Sequence, residues 1–391
     1  MEESHLPVSN EPVSDEPVSG ELTTQPQSVR TADEPVSQPP GPGEKRSRRS
    51  SGPGPSRLWT AARRTLTSSY LFIILLIAAF IGTQVSPFFL TGRNLQNIVV
   101  TAAVVSVLAV GQFMVIVTAG IDLSVGSIAA LATVIAAVLL RNGQSTGVAI
   151  LVTLAVCGFV GILNGGLVVY GGITPFIATL GMMSVVRGAA FLLQTGTLIG
   201  ITNQKFLTLF SGKTGGLPHV VIIFLVVMVV TAFVMQYTPY GRRLYAIGGN
   251  PEASRLSGLP VNRDLISAYG FAGLLAGLAG LMLAAQLSQG SSLVGQGYEL
   301  DSIAAAVVGG ASLFGGTGSP VTAVIGGLLI GVISNIMNLA GVQSEPQLVI
   351  KGLLILVAVF LTSGGGPKRV RQFTALLRRI GRRPTQEEGA A

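Results

Sequence analysis

Few side chains in this sequence are equipped for chemistry, and those few stand in unusual places. Asp122 sits between two apolar stretches, in Thr118-Ala-Gly-Ile-Asp-Leu-Ser-Val-Gly-Ser127. A carboxylate there needs water, a partner or free backbone N–H groups, because charge in hydrocarbon is expensive. Two compatible readings follow: Asp122 caps a helix beginning near Leu123, or it lines a polar passage. Glu299 and Asp301 lie in Gly-Tyr-Glu-Leu-Asp-Ser, ahead of a short apolar stretch. A spacing of two does not bring them onto one helical face, and no histidine stands near. Capping of the following helix is therefore expected, not a paired-acid or metal site. His5 and His219 have no metal-ligand company, and Lys351 is expected to snorkel to a membrane surface. The single cysteine, Cys157, lies in an apolar run, where packing is its expected role and no internal disulfide is possible. There is no G-x-x-x-x-G-K-[ST] loop, no H-E-x-x-H and no plausible Ser/His/Asp set. Nothing here resembles an enzyme active site, and no metal is expected; an enclosed pathway across a membrane is what remains.

The elements that must position these residues are membrane spans. Charged residues make up 11% of the chain, against roughly 25% in soluble domains, and mean hydropathy is +0.63. From residue 65 to 363 there are ten basic and six acidic side chains, and six of the sixteen crowd into one loop: Arg242, Arg243, Glu252, Arg255, Arg263 and Asp264. A span needs ~20 apolar residues. Candidates fall at about 69–86, 95–117, 123–140, 148–170, 174–195, 218–236, 264–287, 301–313, 320–340 and 347–363. The eighth is too short to cross unaided and reads as re-entrant or broken. The fold class is thus all-α, a polytopic integral membrane bundle of about ten transmembrane helices, with eight also satisfying the charge pattern. Lys and Arg concentrate in the two tails and the 237–263 loop, while Arg93, Arg141, Lys205 and Lys213 are nearly all that the opposite loops carry. Positive-inside places both termini in the cytosol. The pI near 10 reflects this flanking charge and not a nucleic-acid partner.

Three regions follow. Residues 1–65 read as a disordered cytosolic tail, rich in Pro, Ser and Glu with repeated Glu-Pro-Val-Ser units, ending in a juxtamembrane basic segment around Trp59. No apolar signal-peptide core is seen in residues 1–50, so the first span is expected to act as an uncleaved entry signal. Residues 66–363 form the membrane domain. Residues 364–391 are a basic tail whose stretch 368–383 has the spacing of a cationic surface helix. Gly161-xxx-Gly165, Gly273-xxx-Gly277 and Gly327-xxx-Gly331 have the spacing that lets helix backbones approach closely. Gly120-Ile-Asp-Leu-Ser-Val-Gly126 and Gly310-Ala-Ser-Leu-Phe-Gly-Gly316 share a G-x-x-L-x-x-G pattern where apolar segments are interrupted, a pointer to a transport pathway.

The loop after the sixth span reads Tyr240-Gly-Arg-Arg-Leu-Tyr-Ala-Ile-Gly-Gly-Asn-Pro-Glu-Ala-Ser-Arg-Leu-Ser-Gly-Leu259. It closely resembles the cytosolic coupling segment of bacterial ribose-type (monosaccharide) ABC importer permeases, within the branched-chain amino acid/sugar permease superfamily. Gly120–Ser127, Thr174–Ser184 and Gly297–Leu313 resemble the same family, so that four blocks in order span about 66–363. The resemblance implies a permease subunit in the bacterial cytoplasmic membrane, paired with a second permease copy, identical or not. It implies a cytosolic ABC ATPase subunit that holds ATP and Mg, so no cofactor is expected on this chain. It also implies an extracytoplasmic sugar-binding protein that delivers the solute. Coupling is assigned on this basis to Gly241, Arg242, Gly248, Asn250, Glu252, Ala253, Arg255 and Gly258. The residues agree: 251–258 is expected as a short helix with Asn250 as N-cap, Pro251 at the first position and Gly258 as the stop. A merely solvated loop is the plainer reading.

Polar residues in or beside apolar spans are the candidates for a substrate pathway: Gln112, Thr118, Asp122, Ser124, Asn164 and Asn335. Each equally fits a helix-bridging role, worth ~0.6 kcal/mol on average. A sugar-like signalling molecule or another simple sugar fits the same architecture. A secondary transporter is expected to carry more buried carboxylates than this chain offers.

Overall fold

The computed structural model describes residues 57–362. Of the expected tails, 1–65 and 364–391, residues 1–56 and all of 364–391, including the stretch 368–383, lie outside the described residues, whereas 57–65, expected as the end of the disordered tail, belongs to the first helix. The chain runs α1 (Arg57–Val85), α2 (Gly92–Ile116), α3 (Val125–Arg141), α4 (Thr146–Val169), α5 (Pro175–Gln194), β1 (Ile199–Gly200), α6 (Gln204–Ser211), β2 (Lys213–Thr214), β3 (Leu217–Pro218), α7 (His219–Tyr237), α8 (Pro239–Gly249), α9 (Pro251–Leu256), α10 (Val261–Leu287), β4 (Gln289–Gly290), α11 (Tyr298–Val308), α12 (Pro320–Leu339) and α13 (Ser344–Thr362). Among the described residues, α2, α4, α5, α7, α10 and α12 are long and apolar enough to cross a membrane. The polytopic helical fold expected from the sequence is present. The connection at 237–263 contains the expected short helix, α9, and also α8, which was not expected, and the polar stretch 196–218 contains α6 and the β2–β3 hairpin.

α2 and α10 form the enclosed centre, whereas α4, α5 and α7 keep most of their surface outside. Leu151, Leu192, Val229 and Phe233 are more than half exposed. Contiguous apolar surface of this kind suits lipid or another subunit and not water.

Glycine decides how the centre closes. The 161/165 and 273/277 pairs pack against one another across α4 and α10. Gly161 lies on the Tyr269 carbonyl and Gly273 on the Cys157 carbonyl, and a methyl at Gly165 would stand 2.6 Å from Ile266 Cα. Close backbone approach needs small residues at the seam. The third pair faces α2, with Gly327 against Ser106 and Gly331 against Ala102. Cys157 is fully buried in the α4–α10 seam, the packing role expected of it.

The eighth segment is short, as expected: α11 has 11 residues, or ~16 Å of helix, about half a hydrocarbon core. It starts three residues earlier than expected and stops at Gly309. The rest of the depth is covered by irregular chain running along α3. Ser291 N donates to Thr133 Oγ1 (3.0 Å), and Gly295 packs on the Gly126 carbonyl four residues later. Such backbone is tolerated at membrane depth only when buried in protein. Glu299 and Asp301 lie within the first turn of α11, and neither caps it from ahead in the expected way. Glu299 Oε1 reaches back to accept from Gly297 N (3.1 Å), and Asp301 is paired with Lys351 Nζ at 2.8 Å. Lys351 therefore does not snorkel; it ties α13 to α11.

Contacts between distant segments define two ends. β1 pairs with β4, Lys213 Nζ donates to Gln96 Oε1 (2.9 Å) and Asn94 exchanges hydrogen bonds with Asn335 (2.8 and 3.0 Å), all at one end. At the other, α8 meets the chain after α2 and before α12. Gly161→Ala should lower stability by about 1–3 kcal/mol through overpacking at the α4–α10 seam. Gly166→Ala, where a methyl meets nothing within 4 Å, should be near neutral. Thermal unfolding of the two variants in detergent distinguishes them, and equal effects would contradict a seam set by close approach.

Candidate functional site

Thr238 and Asn250 start successive short helices by the same chemistry. Thr238 Oγ1 accepts from Gly241 N (3.3 Å) with Pro239 at the first position, and Asn250 Oδ1 accepts from Ala253 N (3.0 Å) with Pro251 in the same place. The end of α9 is a Schellman motif: Gly258 at φ +76° donates to Arg255 O (2.9 Å), and Leu259 N donates to Ser254 O (3.1 Å). The cap, proline and stop residues assigned from sequence all hold these places. Arg242, Asn250, Glu252, Ala253, Arg255 and Gly258 are exposed, and Leu256 projects with 82% of its surface free. Gly241 and Gly248 are buried instead. Gly241 lets the start of α8 lie on the Met235 carbonyl at the end of α7.

α8 is clamped to the start of α10. Arg243 grips Asp264 with two bonds, Nε to Oδ2 at 2.6 Å and Nη2 to Oδ1 at 3.1 Å, and Asp264 is itself buried. This bidentate, charge-assisted geometry is the stronger kind, and the Asp264 hydrogen bond holds the Arg243 guanidinium above its ordinary pKa. Tyr240 Oη bonds Ser267 Oγ at 2.8 Å, and the Arg243 guanidinium lies 5.9 Å from the Tyr240 ring centroid. Burial pushes the Tyr240 phenol up to about 12, so it stays neutral.

Four of the six pathway candidates meet at the helix break between α2 and α3. The Gln112 amide, oriented by its neighbours, donates to Asp122 O (3.0 Å) and accepts from Asp122 N (3.1 Å). Asp122 Oδ1 accepts from Ser124 N (2.8 Å) and Ser124 Oγ (2.6 Å), and Asn164 Nδ2 donates to Ser124 Oγ (2.8 Å). All four residues are fully buried. Helix α3 begins at Val125 with Ser124 in the cap position. Asp122 therefore serves the cap residue's own N–H rather than an N–H inside the helix, a correction to the capping expected at Leu123. The chain rises two residues further before it can close a helical turn. Thr118 lies nearby but bonds only Val115 O (2.8 Å), and Asn335 belongs to the opposite end with Asn94. The paired G-x-x-L-x-x-G segments do fall at the two breaks, but their matched glycines differ in conformation. Gly126 is inside α3, whereas Gly310 and Gly316 take φ of +89° and +72°.

Several residues at these breaks were missed in the sequence. Thr179 on α5 accepts from Leu123 N (3.1 Å), and its hydroxyl proton is within reach of Ile121 O (3.2 Å) and Pro175 O (2.8 Å). It lies in the Thr174–Ser184 block that resembles the permease family, but nothing there sets it apart from its neighbours. Arg187 on the same helix donates to Ser292 O (2.7 Å) and Val294 O (2.8 Å), holding the irregular chain ahead of α11. A lone charge within an apolar span was the available signal. Near that chain lies a cavity of about 230 Å³ lined by Thr101, Val104, Leu283, Gln286, Val294 and Tyr298. None of the six pathway candidates lines it.

The described residues thus form a helical bundle with two broken helices and a pair of short helices, α8 and α9, exposed at one end. A family model described as "Branched-chain amino acid transport system / permease component" matches residues 94–359. The chain belongs to that family. The match runs from the first turn of α2 almost to the end of α13 and contains both breaks, α8 and α9. The ribose import permease protein RbsC of Escherichia coli K12 is 39% identical over 77% of this chain and 97% of its own length. RbsC of Bacillus subtilis 168 is 41% identical over 74% of this chain and 91% of its own. The D-allose transport system permease protein AlsC of Escherichia coli K12 is 37% identical over 74% and 89%. No solved structure gives a significant match. With its family and its long apolar helices, the chain is a multi-pass permease of the cytoplasmic membrane and not a catalyst.

Gln112→Leu should destabilise the protein by about 1–3 kcal/mol, because it leaves both backbone groups of Asp122 buried and unpaired. Asp122→Asn, which keeps an oxygen acceptor for Ser124 N, should be milder than Asp122→Ala. Melting temperatures in detergent check this order, and the reverse order would contradict the arrangement.

Proposed function

We propose that this chain is the membrane-spanning subunit of an ATP-binding cassette importer for a monosaccharide, and that α8–α9 is where its ATPase engages. The observation that carries the reading is α9 itself: a six-residue helix, capped at both ends, exposing Glu252, Arg255 and Leu256 beyond the bundle. A rigid, protruding element with two opposite charges and one apolar tip suits a soluble partner's groove. A solvated connection would not need a proline-started helix and a Schellman stop. ATP and Mg belong to that partner, and a binding protein is expected to deliver the solute at the opposite end. Both termini are assigned to the cytosol by the basic residues that flank the spans. A second permease copy, identical or similar, supplies the other half of the pathway against the exposed apolar faces.

Ribose and allose in the relatives' names support a neutral sugar as cargo. The cavity beside α11 fits that chemistry, since Thr101, Gln286 and Tyr298 offer hydrogen-bonding groups without charge. The buried polar set around Asp122 then holds the broken helix beside the path, and movement of the breaks reshapes that path between inward and outward access.

Reversing both charges, Glu252→Lys with Arg255→Glu, should weaken co-purification with the ATPase while leaving membrane insertion intact; unaltered co-purification and uptake would sink the assignment. Purified on its own, the chain should show no ATP hydrolysis, and measurable turnover would overturn the division of labour. Uptake of labelled ribose, allose and other monosaccharides by cells lacking the chain identifies the cargo, and unchanged uptake of every sugar would refute a monosaccharide.

A further inference from the structure

Gly248, buried in the last turn of α8, is unlike the exposed coupling residues around it. Its Cα lies against the Val117 carbonyl, at the end of α2, and a methyl there would also stand 2.7 Å from Gly316 N, in the break before α12. Those two atoms are already joined, with Gly316 N donating to Val117 O at 2.8 Å. Gly248 thus sits on the hydrogen bond that links the two helix breaks. Gly315 completes the junction, since a methyl on it would meet Gly248 O at 2.7 Å and Ala119 N at 2.8 Å. One turn before Gly248, Tyr245 Oη donates to Gly318 O (3.0 Å), and its ring packs edge-on to Phe113 at 6.4 Å between centroids.

We propose that Gly248 is the positioning residue through which movement of the coupling segment reaches both helix breaks at once, with Tyr245 as a second tie. The proposal rests on the reading of α8–α9 as the ATPase-facing segment. Three backbones meet here with no side chain between them, so no rotamer change can absorb a displacement, and close-packed interiors transmit strain. α8 moves together with the start of α10, because Arg243 and Tyr240 fasten the two helices to each other. From the junction, one route leads through the Asp122, Ser124 and Asn164 set to α3 and α4, and through Thr179 to α5. The other leads through Gly316 and Gly318 to α12. A single contact therefore biases two elements that have to re-pack together, as a switching transition requires.

The test uses the complete importer, with its ATPase and binding protein, in proteoliposomes; the readout is labelled monosaccharide taken up per ATP hydrolysed. Gly248→Ala should co-purify with the ATPase as the unaltered chain does, yet lower uptake per ATP roughly tenfold, within the range of a coupling between distant sites. Gly249→Ala is the control. It makes the same change in helix propensity one residue on, where a methyl meets nothing within 4 Å, and should leave the ratio unchanged. Tyr245→Phe keeps the ring, loses the hydroxyl that bonds Gly318 O, and should lower the ratio by about two- to fivefold, the size of effect expected of a single residue along a coupling route. An unchanged ratio in Gly248→Ala, or an equal fall in Gly249→Ala, overturns the proposal. Should Gly248→Ala fail to assemble, Tyr245→Phe decides, and an unchanged ratio there overturns it. The charge reversal at 252 and 255 separates the two ideas. If it weakens ATPase binding while Gly248→Ala leaves the ratio intact, the relay falls and the docking assignment stands.

Discussion

A backbone that leaves helical geometry inside a bilayer must find every hydrogen bond within the protein, and this requirement governs the structure. The break between α2 and α3 meets it group by group. Asp122's backbone takes the Gln112 amide, Leu123 N takes Thr179, Ser124 N takes the Asp122 carboxylate, and Val117 O takes Gly316 N from the second break. The partners come from α2, α5 and the segment before α12. The break is therefore a product of the assembled bundle, and the buried polar residues are its supports.

The same requirement explains the glycines. Hydrocarbon offers no hydrophobic drive between helices, so association depends on close packing and on bonds across the contact. Gly161 and Gly273 let α4 and α10 touch backbone to backbone, and Gly327 and Gly331 do so for α12 against α2. Where α8 meets both breaks, Gly248, Gly315 and Gly316 bring the approach to its limit. The structure is thus tightest where the exposed coupling helices join the interrupted passages, which is where a movement imposed from outside has to enter.

Most of the architecture was legible in sequence because it rests on local signals. Span positions follow from runs of apolar residues, and the eighth was recognised as too short from its length alone. Asn250, Pro251 and Gly258 announced α9 because capping and stop chemistry are written within a few residues. α8 carries a similar signal, since Thr238-Pro239 starts it as Asn250-Pro251 starts α9, but the charges and glycines that follow mask it. For the polar residues the outcome was mixed. Gln112, Asp122, Ser124 and Asn164 are polar groups in apolar surroundings, and they converge. Thr118 and Asn335 stand in the same kind of surroundings and do not join them. Thr179 and Tyr245 lie in stretches that the family resemblance marks, but neither stands out within them, since a hydroxyl acquires its role only from what folds against it.

The sequence by itself determined that this is a charge-starved membrane chain, where its apolar helices lie, six of them among the described residues long enough to cross a membrane, and that α9 is a capped helix, because hydropathy and capping act over at most one span. Only the tertiary structure decided that the glycine pairs of α4 and α10 face each other, that Asp301 pairs with Lys351, and that the two breaks share one hydrogen bond beneath Gly248. Those contacts join residues from tens to nearly two hundred positions apart. Their partners are chosen by packing geometry, and no local pattern encodes that.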